Sequence, residues 1–268
     1  NQFGGGVSNA HNGVMAYEHA YQGVEARKAY FFMGDAMVCM GSGIKAARTQ
    51  EVRTSVNQCL ANGEVTYGLS GHTYRLTNNL SDKNIDWAYH DNVGYIFPQN
   101  ESVTLRKAKQ TGAWRELEVT ASDKPVTKEI FSLWVSHGTT PQHEDYCYII
   151  MPDKPLSYFT DKKFENEIKI IVNSEQIQAI SNENKRQYAA VFYEPGEIRF
   201  AEDLVVAVNK KVIIYIEKKD KQYEIAVADP LYKEQSLQLS MNGEQINIVF
   251  PSGDYSGSSV IKHITEKH

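Results

Sequence analysis

Between Arg27 and Ile44 the chain reads RKAYFFMGDAMVCMGSGI, two apolar runs separated by Gly34-Asp35. Tyr30, Phe31, Phe32 and Met33 precede the break, and Ala36 to Met40 resumes the apolar character after it. Aromatic and branched residues around a two-residue, glycine-containing break favour paired strands over helix. The segment therefore predicts a buried hairpin turning at Gly34-Asp35. Gly41 and Gly43 are expected to let the chain leave the sheet at backbone angles that other residues avoid.

The rest of the sequence repeats this texture. Short strand-like runs with turn signals fill the first half, from Gly13 to Tyr17 through Ala29 to Met40, Val52 to Gln58, Val103 to Lys107 and Glu129 to His137 to Tyr146 to Met151. Asn62-Gly63, Phe97-Pro98 and Thr111-Gly112 supply the residues that turns require. Around 152 to 166 the texture changes, with Pro152, Pro155 and the polar run Thr160-Asp161-Lys162-Lys163, so a domain boundary is expected near residue 163. Beyond it, Asn242-Gly243 between two alternating runs is the clearest hairpin signal. Long helical periodicity, low-complexity tracts and fixed-period repeats are missing, which disfavours a solenoid or propeller. At 268 residues the chain is long enough to bury a core without disulfides. It has no apolar run near the roughly 20 residues of a membrane helix, and no basic-then-apolar leader. The abrupt start at Asn1-Gln2-Phe3-Gly4 raises the expectation of a piece of a longer protein.

Formal net charge is -5 with no basic tail, which argues against a nucleic-acid partner. Arg106, Lys107 and Lys109 form the densest basic cluster and read as a solvated strand face. Cys39, Cys59 and Cys147 show neither metal spacing nor a complete disulfide framework, so all three read as small buried hydrophobes.

Local catalytic motifs are missing: there is no nucleophile elbow, phosphate-cradling loop or HExxH. The most polar, flexible stretch is Gly4 to Gly13, where Asn9, His11 and Asn12 join four glycines in an expected loop. Amides donate to carboxylates and accept from hydroxyls, and histidine shuttles protons near neutral pH; the bland alternative is a glycine-rich lead-in to the first strand. Tyr17, His19 and Tyr21 alternate and would share one face of a strand, imitating an acid-base pair, although nothing in the spacing orients a base. His137 and His143, followed by Glu144-Asp145, form a conceivable divalent-metal cluster, with loop polarity the simpler explanation. Of the tryptophans, Trp134 is expected in the core and Trp114, after a glycine turn, exposed where it could stack on a sugar.

Several blocks, in order, resemble polysaccharide lyase family 8. Phe3-Gly4-Gly5-Gly6-Val7-Ser8-Asn9 is similar to that family's F-x-G-G-V-S-(D/N) segment, the Arg27 to Ile44 hairpin to its R/K-K-(aromatic)-F-F…G-(S/A)-G-I block, and Thr54 to Gln58 to its T-T-(L/V)-N-Q strand. His90 to Pro98, Leu133 to Gly138 followed by Tyr146 to Ile149, and Ala226-Val227-Ala228-Asp229-Pro230 resemble further family blocks. The resemblance implies an all-β fold, a central β-supersandwich of the galactose-mutarotase-like type over 1–163 followed by a smaller C-terminal antiparallel β-sandwich over 164–268. It implies that an upstream α/α toroid carries the catalytic Asn, His, Tyr and Arg, leaving no catalytic residue here. The implied activity is β-elimination on uronic-acid-containing glycosaminoglycans, chondroitin sulfate or hyaluronan, with an anionic polysaccharide and the toroid as partners. No cofactor, metal, nucleic acid or membrane span is expected, and the location is expected to be periplasmic or extracellular. Asn1, Asn9, His11 and Asn12 are the candidate cleft-lining, substrate-binding residues. The competing expectation is a non-catalytic carbohydrate-binding or structural β-sandwich protein.

Overall fold

The computed structural model describes residues 3–47, 49–99 and 101–265. The first strands, in order, are β1 (Gly4–Ser8), β2 (Gly13–Tyr21), β3 (Val24–Met33), β4 (Ala36–Ala46) and β5 (Arg53–Leu60). β1 to β4 run side by side in a nine-stranded sheet, continued by Glu144–Pro152, Val93–Ile96, Trp87–His90, Val65–Leu69 and His72–Arg75. β5 edges a second, four-stranded sheet with Val126–Ser136, Val103–Gly112 and Leu80–Lys83. Strands from Lys169 onward build a six-stranded sheet and a second four-stranded one, the latter formed by Gly196–Ala201, Leu204–Val208, Ser236–Met241 and Glu244–Val249. Residue 163, the expected boundary, lies in the turn-rich run after the short helix Leu156–Thr160.

The sheets stack in four layers, because the inner two are apolar on both faces. Side chains alternate across a strand, and in Gln187–Phe192 the split is clean. Ala189 and Val191 pack toward the nine-stranded sheet, while Tyr188, Ala190 and Phe192 pack toward the outer four-stranded sheet. The β3–β4 hairpin is divided in the same way. Phe31, Met33, Val38 and Met40 join the core shared with the six-stranded sheet, whereas Tyr30, Met37 and Cys39 turn to the β5 sheet. A strand buried on two sides loses the polar alternation of a strand with one wet face, which accounts for the unbroken apolar run. The turn falls at Gly34 (φ 60°) and Asp35, as expected.

Gly41 and Gly43 do not end the strand, contrary to the expectation from their backbone freedom. β4 continues to Ala46. A Cβ at Gly41 would lie 2.1 Å from Cε1 of Tyr146, so the glycine makes room for that ring. Gly43 (φ 61°) sits where the register of β4 slips against both neighbours, at a bulge. A second correction concerns Gly4 to Ser8, expected as loop, which pairs with β2 from Gly4↔Tyr17 to Ser8↔Gly13. The Gly4 N–H donates to the Pro230 carbonyl at 3.1 Å, and a Cβ on Gly5 would lie 3.3 Å from Cα of Pro230. Glycine suits this strand because a backbone from the far half of the chain presses against it.

The β5 sheet does not extend over the edge of its larger neighbour. On the face of the nine-stranded sheet that looks toward β5, Met15 is 45% exposed and Phe32 44%. Cover stops short of β1, the Met15 end of β2 and the Phe32 end of β3, and this uncovered stretch positions the site. No helix among the described residues is long and apolar enough to cross a membrane.

Candidate functional site

The uncovered face carries a shallow groove of about 700 Å³ whose walls include Ser8, His11, Asn12, Met15, Tyr17 and Phe32. Its upper end is the Asn9–Asn12 turn joining β1 to β2. Asn9 shapes the turn from within: its Oδ1 accepts the N–H groups of His11 (3.2 Å) and Asn12 (2.9 Å). Its Nδ2 donates to Glu217 (3.1 Å) and Glu224 (2.8 Å) in the six-stranded sheet. Those carboxylates face one another across neighbouring strands, a repulsive arrangement that the Asn9 amide bridges and Lys219 moderates at 3.4 and 3.9 Å. The carbonyl of Asn12 accepts from Asn9 N–H and the Ser8 hydroxyl, and its Oδ1 accepts the Gly34 N–H at 2.8 Å. The loop is thereby tied to the β3–β4 turn and to the second half of the chain.

Of the four candidate site residues, His11 and Asn12 line the groove. Asn9 does not: it is buried, with its amide committed to the four contacts above. Asn1 lies outside the described residues.

Farther along the same face, a second cavity of about 440 Å³ opens between β2, β3 and the start of β5. Tyr17 pairs with Lys28 across the strands, and Tyr17 stacks on Tyr30 with ring centroids 6.4 Å apart. His19, one step along β2, meets Tyr17 edge-on at 6.5 Å, so Tyr17, His19 and Tyr21 do share the alternating face. His137 Nε2 lies 2.8 Å from the Thr54 hydroxyl, and burial, aided by the charge on Lys28, pushes its pKa down to about 4. Burial lowers the pKa of Lys28, and burial followed by Lys28 lowers that of His19. Burial raises the Tyr30 phenol, with Tyr17 adding to the effect. Glu51 is committed to Arg53 and the Ser136 hydroxyl, and these contacts hold its carboxyl below the usual range. Sequence reasoning found the Tyr17–His19 alternation but missed Lys28 and Thr54. They reach the cavity from separate strands, and no local spacing joins them.

The remaining candidates disperse. His143 pairs with Glu175 at 2.5 Å while His137 bonds Thr54, and no group of three His, Cys, Asp or Glu side chains among the described residues could hold a metal ion. Trp114 is 63% exposed at the tip of a long hairpin, as expected, whereas Trp134 is only half-buried, with the Arg53 guanidinium 4.6 Å above its ring. Cys39 and Cys147 are buried and Cys59 is half-buried, all as free thiols.

Comparison with known proteins gives a consistent answer. The family model for the polysaccharide lyase family 8 super-sandwich domain matches residues 1–163, and that for the family's C-terminal beta-sandwich domain matches residues 169–238. Chondroitinase-AC of Pedobacter heparinus is 31% identical over 271 residues, covering 97% of this chain and 38% of that protein. A hyaluronate lyase of Thermasporomyces composti is 24% identical, with 88% of this chain and 30% of that protein covered. Among solved structures, a chondroitinase AC lyase studied as enzyme-oligosaccharide complexes superposes with a TM-score of 0.91 at 28% identity, covering 98% of this chain and 40% of that one. A Paenibacillus xanthan lyase has the same fold, with a TM-score of 0.87 at 18% identity over 100% of this chain and 29% of that one. The chain thus spans two fifths or less of the length of these relatives.

Proposed function

We propose that this chain, which belongs to polysaccharide lyase family 8, is the β-sandwich portion of an enzyme that cleaves uronic-acid-containing glycosaminoglycans by β-elimination. The observation that carries the reading is the 31% identity with Chondroitinase-AC over 97% of the chain. Chondroitin sulfate is the first substrate it suggests and hyaluronan the second. The catalytic groups belong, in this reading, to an α/α toroid outside these 268 residues, in keeping with the 38% of that relative which the chain spans.

Elimination needs the uronate carboxylate neutralised, so that the negative charge developing after loss of the C5 proton is stabilised by groups already in place. A positioned base takes that proton, the C–H electron pair becomes the C4–C5 double bond, and the O4 leaving group departs with its bonding pair and gains a proton. The share of this chain is to wall the polymer. Met15, Tyr17 and Phe32 offer apolar surface to the C–H face of a sugar, and His11 and Asn12 stand at the polar end of the groove. A substrate too large to enter a cell places the protein in the periplasm or outside the cell.

The test compares the full-length protein with this 268-residue chain on chondroitin sulfate, hyaluronan and xanthan, following the absorbance of the unsaturated uronate product. Product is expected from the full-length protein alone. No product on any polymer would overturn the lyase reading, and activity of this chain alone would overturn the placement of catalysis in another domain.

A further inference from the structure

We propose that the cavity between β2, β3 and the start of β5 is an anion subsite, with Lys28 as its charged centre, that takes a carboxylate or sulfate group of a sugar polymer. Lys28 is half-buried in that cavity, yet its ammonium makes no ion pair or hydrogen bond among the described residues. A cation withdrawn from water without a counter-charge is costly, and buried charges are ordinarily paired. The neighbours are arranged for an anion. His19 and the Thr54–His137 pair, bonded to each other at 2.8 Å, bring further hydrogen-bonding groups to the wall, and the charge of Arg53 balances that of Glu51, which leaves Lys28 in excess. Glu51 is the one carboxylate among the described lining residues, and Arg53 and Ser136 already occupy it. This local positive balance stands out in a chain whose net charge is -5.

Position supplies the ligand class. Tyr17 lines the apolar groove and His19, two residues along β2, lines the cavity, so the two form one continuous track on the uncovered face. A saccharide stacked over Tyr17, Met15 and Phe32 extends its next acidic substituent toward Lys28. The polymer as ligand rests on the function proposed above; the anion site itself rests on Lys28 and its surroundings.

The experiment titrates this chain and its Lys28→Met, Lys28→Arg and Lys109→Met variants with hyaluronan and chondroitin sulfate oligosaccharides, and with carboxyl-reduced hyaluronan oligosaccharides, by calorimetry and thermal unfolding. The expected Lys28→Met protein melts no lower than the parent without ligand and binds acidic oligosaccharides about tenfold or more weakly, the scale of one lost charge-assisted hydrogen bond. Lys28→Arg stays within a few-fold of the parent, and Lys109→Met, altered at an exposed position of the β5 sheet, binds as the parent does. Unchanged affinity in Lys28→Met, or equal binding of acidic and carboxyl-reduced oligosaccharides by the parent, overturns the subsite. A carboxylate from another domain of a longer protein is the rival occupant. If a reductively 13C-methylated Lys28 in the full-length protein keeps its resonance through the oligosaccharide titration while Lys28→Met lowers the melting temperature, that rival wins. Weakened anion binding by Lys28→Met without lyase product from the full-length protein removes the elimination reading and leaves the subsite in place; product formation beside unchanged binding does the reverse.

Discussion

Replacing Asn9 tests the junction that holds the groove's polar end. Asn9→Ala removes two hydrogen bonds to Glu217 and Glu224, whose side chains are only 16% and 19% exposed, together with two backbone contacts inside the turn. Bonds to charged groups contribute about 1.5–3 kcal/mol each. The two bonds to the glutamates alone set an expected loss of about 3 kcal/mol, the lower bound for two such bonds. With a urea dependence of about 3 kcal/mol per molar, the unfolding midpoint falls by about 1 M. Asn9→Asp is the sharper variant. It keeps the Oδ1 acceptor but exchanges a donor for a third carboxylate between two others, so at pH 8 it should be less stable than Asn9→Ala. The excess should vanish toward pH 5 as the crowded carboxyl group takes up a proton. Urea titrations at the two pH values, with hydrogen exchange at His11 and Asn12 as a local readout, measure both effects. An Asn9→Asp protein as stable as Asn9→Ala at pH 8 would refute the argument, because the amide would then not be facing the two glutamates.

Other positions give independent outcomes. Gly94→Ala places a methyl group 1.8 Å from Cζ of the fully buried Phe159, so it should cost about 3 kcal/mol or more, and Phe159→Leu in the same chain should recover part of that loss in a double-mutant cycle by denaturation. Gly41→Ala meets the Tyr146 ring at 2.1 Å and should lower the melting temperature even though Ala is the better strand residue. Burial, with the charge of Asp145 adding to it, pushes the Glu101 carboxyl from 4.5 up to about 7 against the hydrogen bond from Cys147 N–H. The folded state therefore holds that proton more tightly than the unfolded one. The stability it contributes is full below about pH 4.5 and is lost as pH rises through about 7, a span on the order of 3 kcal/mol. Glu101→Gln should flatten this slope in unfolding experiments between pH 5 and 8, and an unchanged slope would assign the pH dependence elsewhere.

Much of the architecture is present in the linear order of residues. Period-two alternation, the Gly34-Asp35 break and the Asn242-Gly243 turn, where φ is 51° and 84°, are local properties of the chain, and each appears where the residues direct it. The ordered blocks from Phe3 to Pro230 identify the family for the same reason, since a motif is a run of neighbours. What depended on partners far along the chain was decided only by packing. A triple-glycine segment is a poor strand until β2 pairs with one side of it and Pro230 presses on it. Asn9 looks like a loop amide until Glu217 and Glu224, more than 200 residues away, draw it inside. Gly41 suggests a place to leave the sheet until Tyr146 takes the room of its missing side chain. Lys28 and Thr54 come from strands of two different sheets and His137 from just past the end of a third strand, and only the stacking of those sheets brings their side chains to one cavity and leaves the lysine without a counter-charge among the described residues. Backbone preference acts over a few residues, whereas burial and charge balance are set by whatever the fold brings alongside.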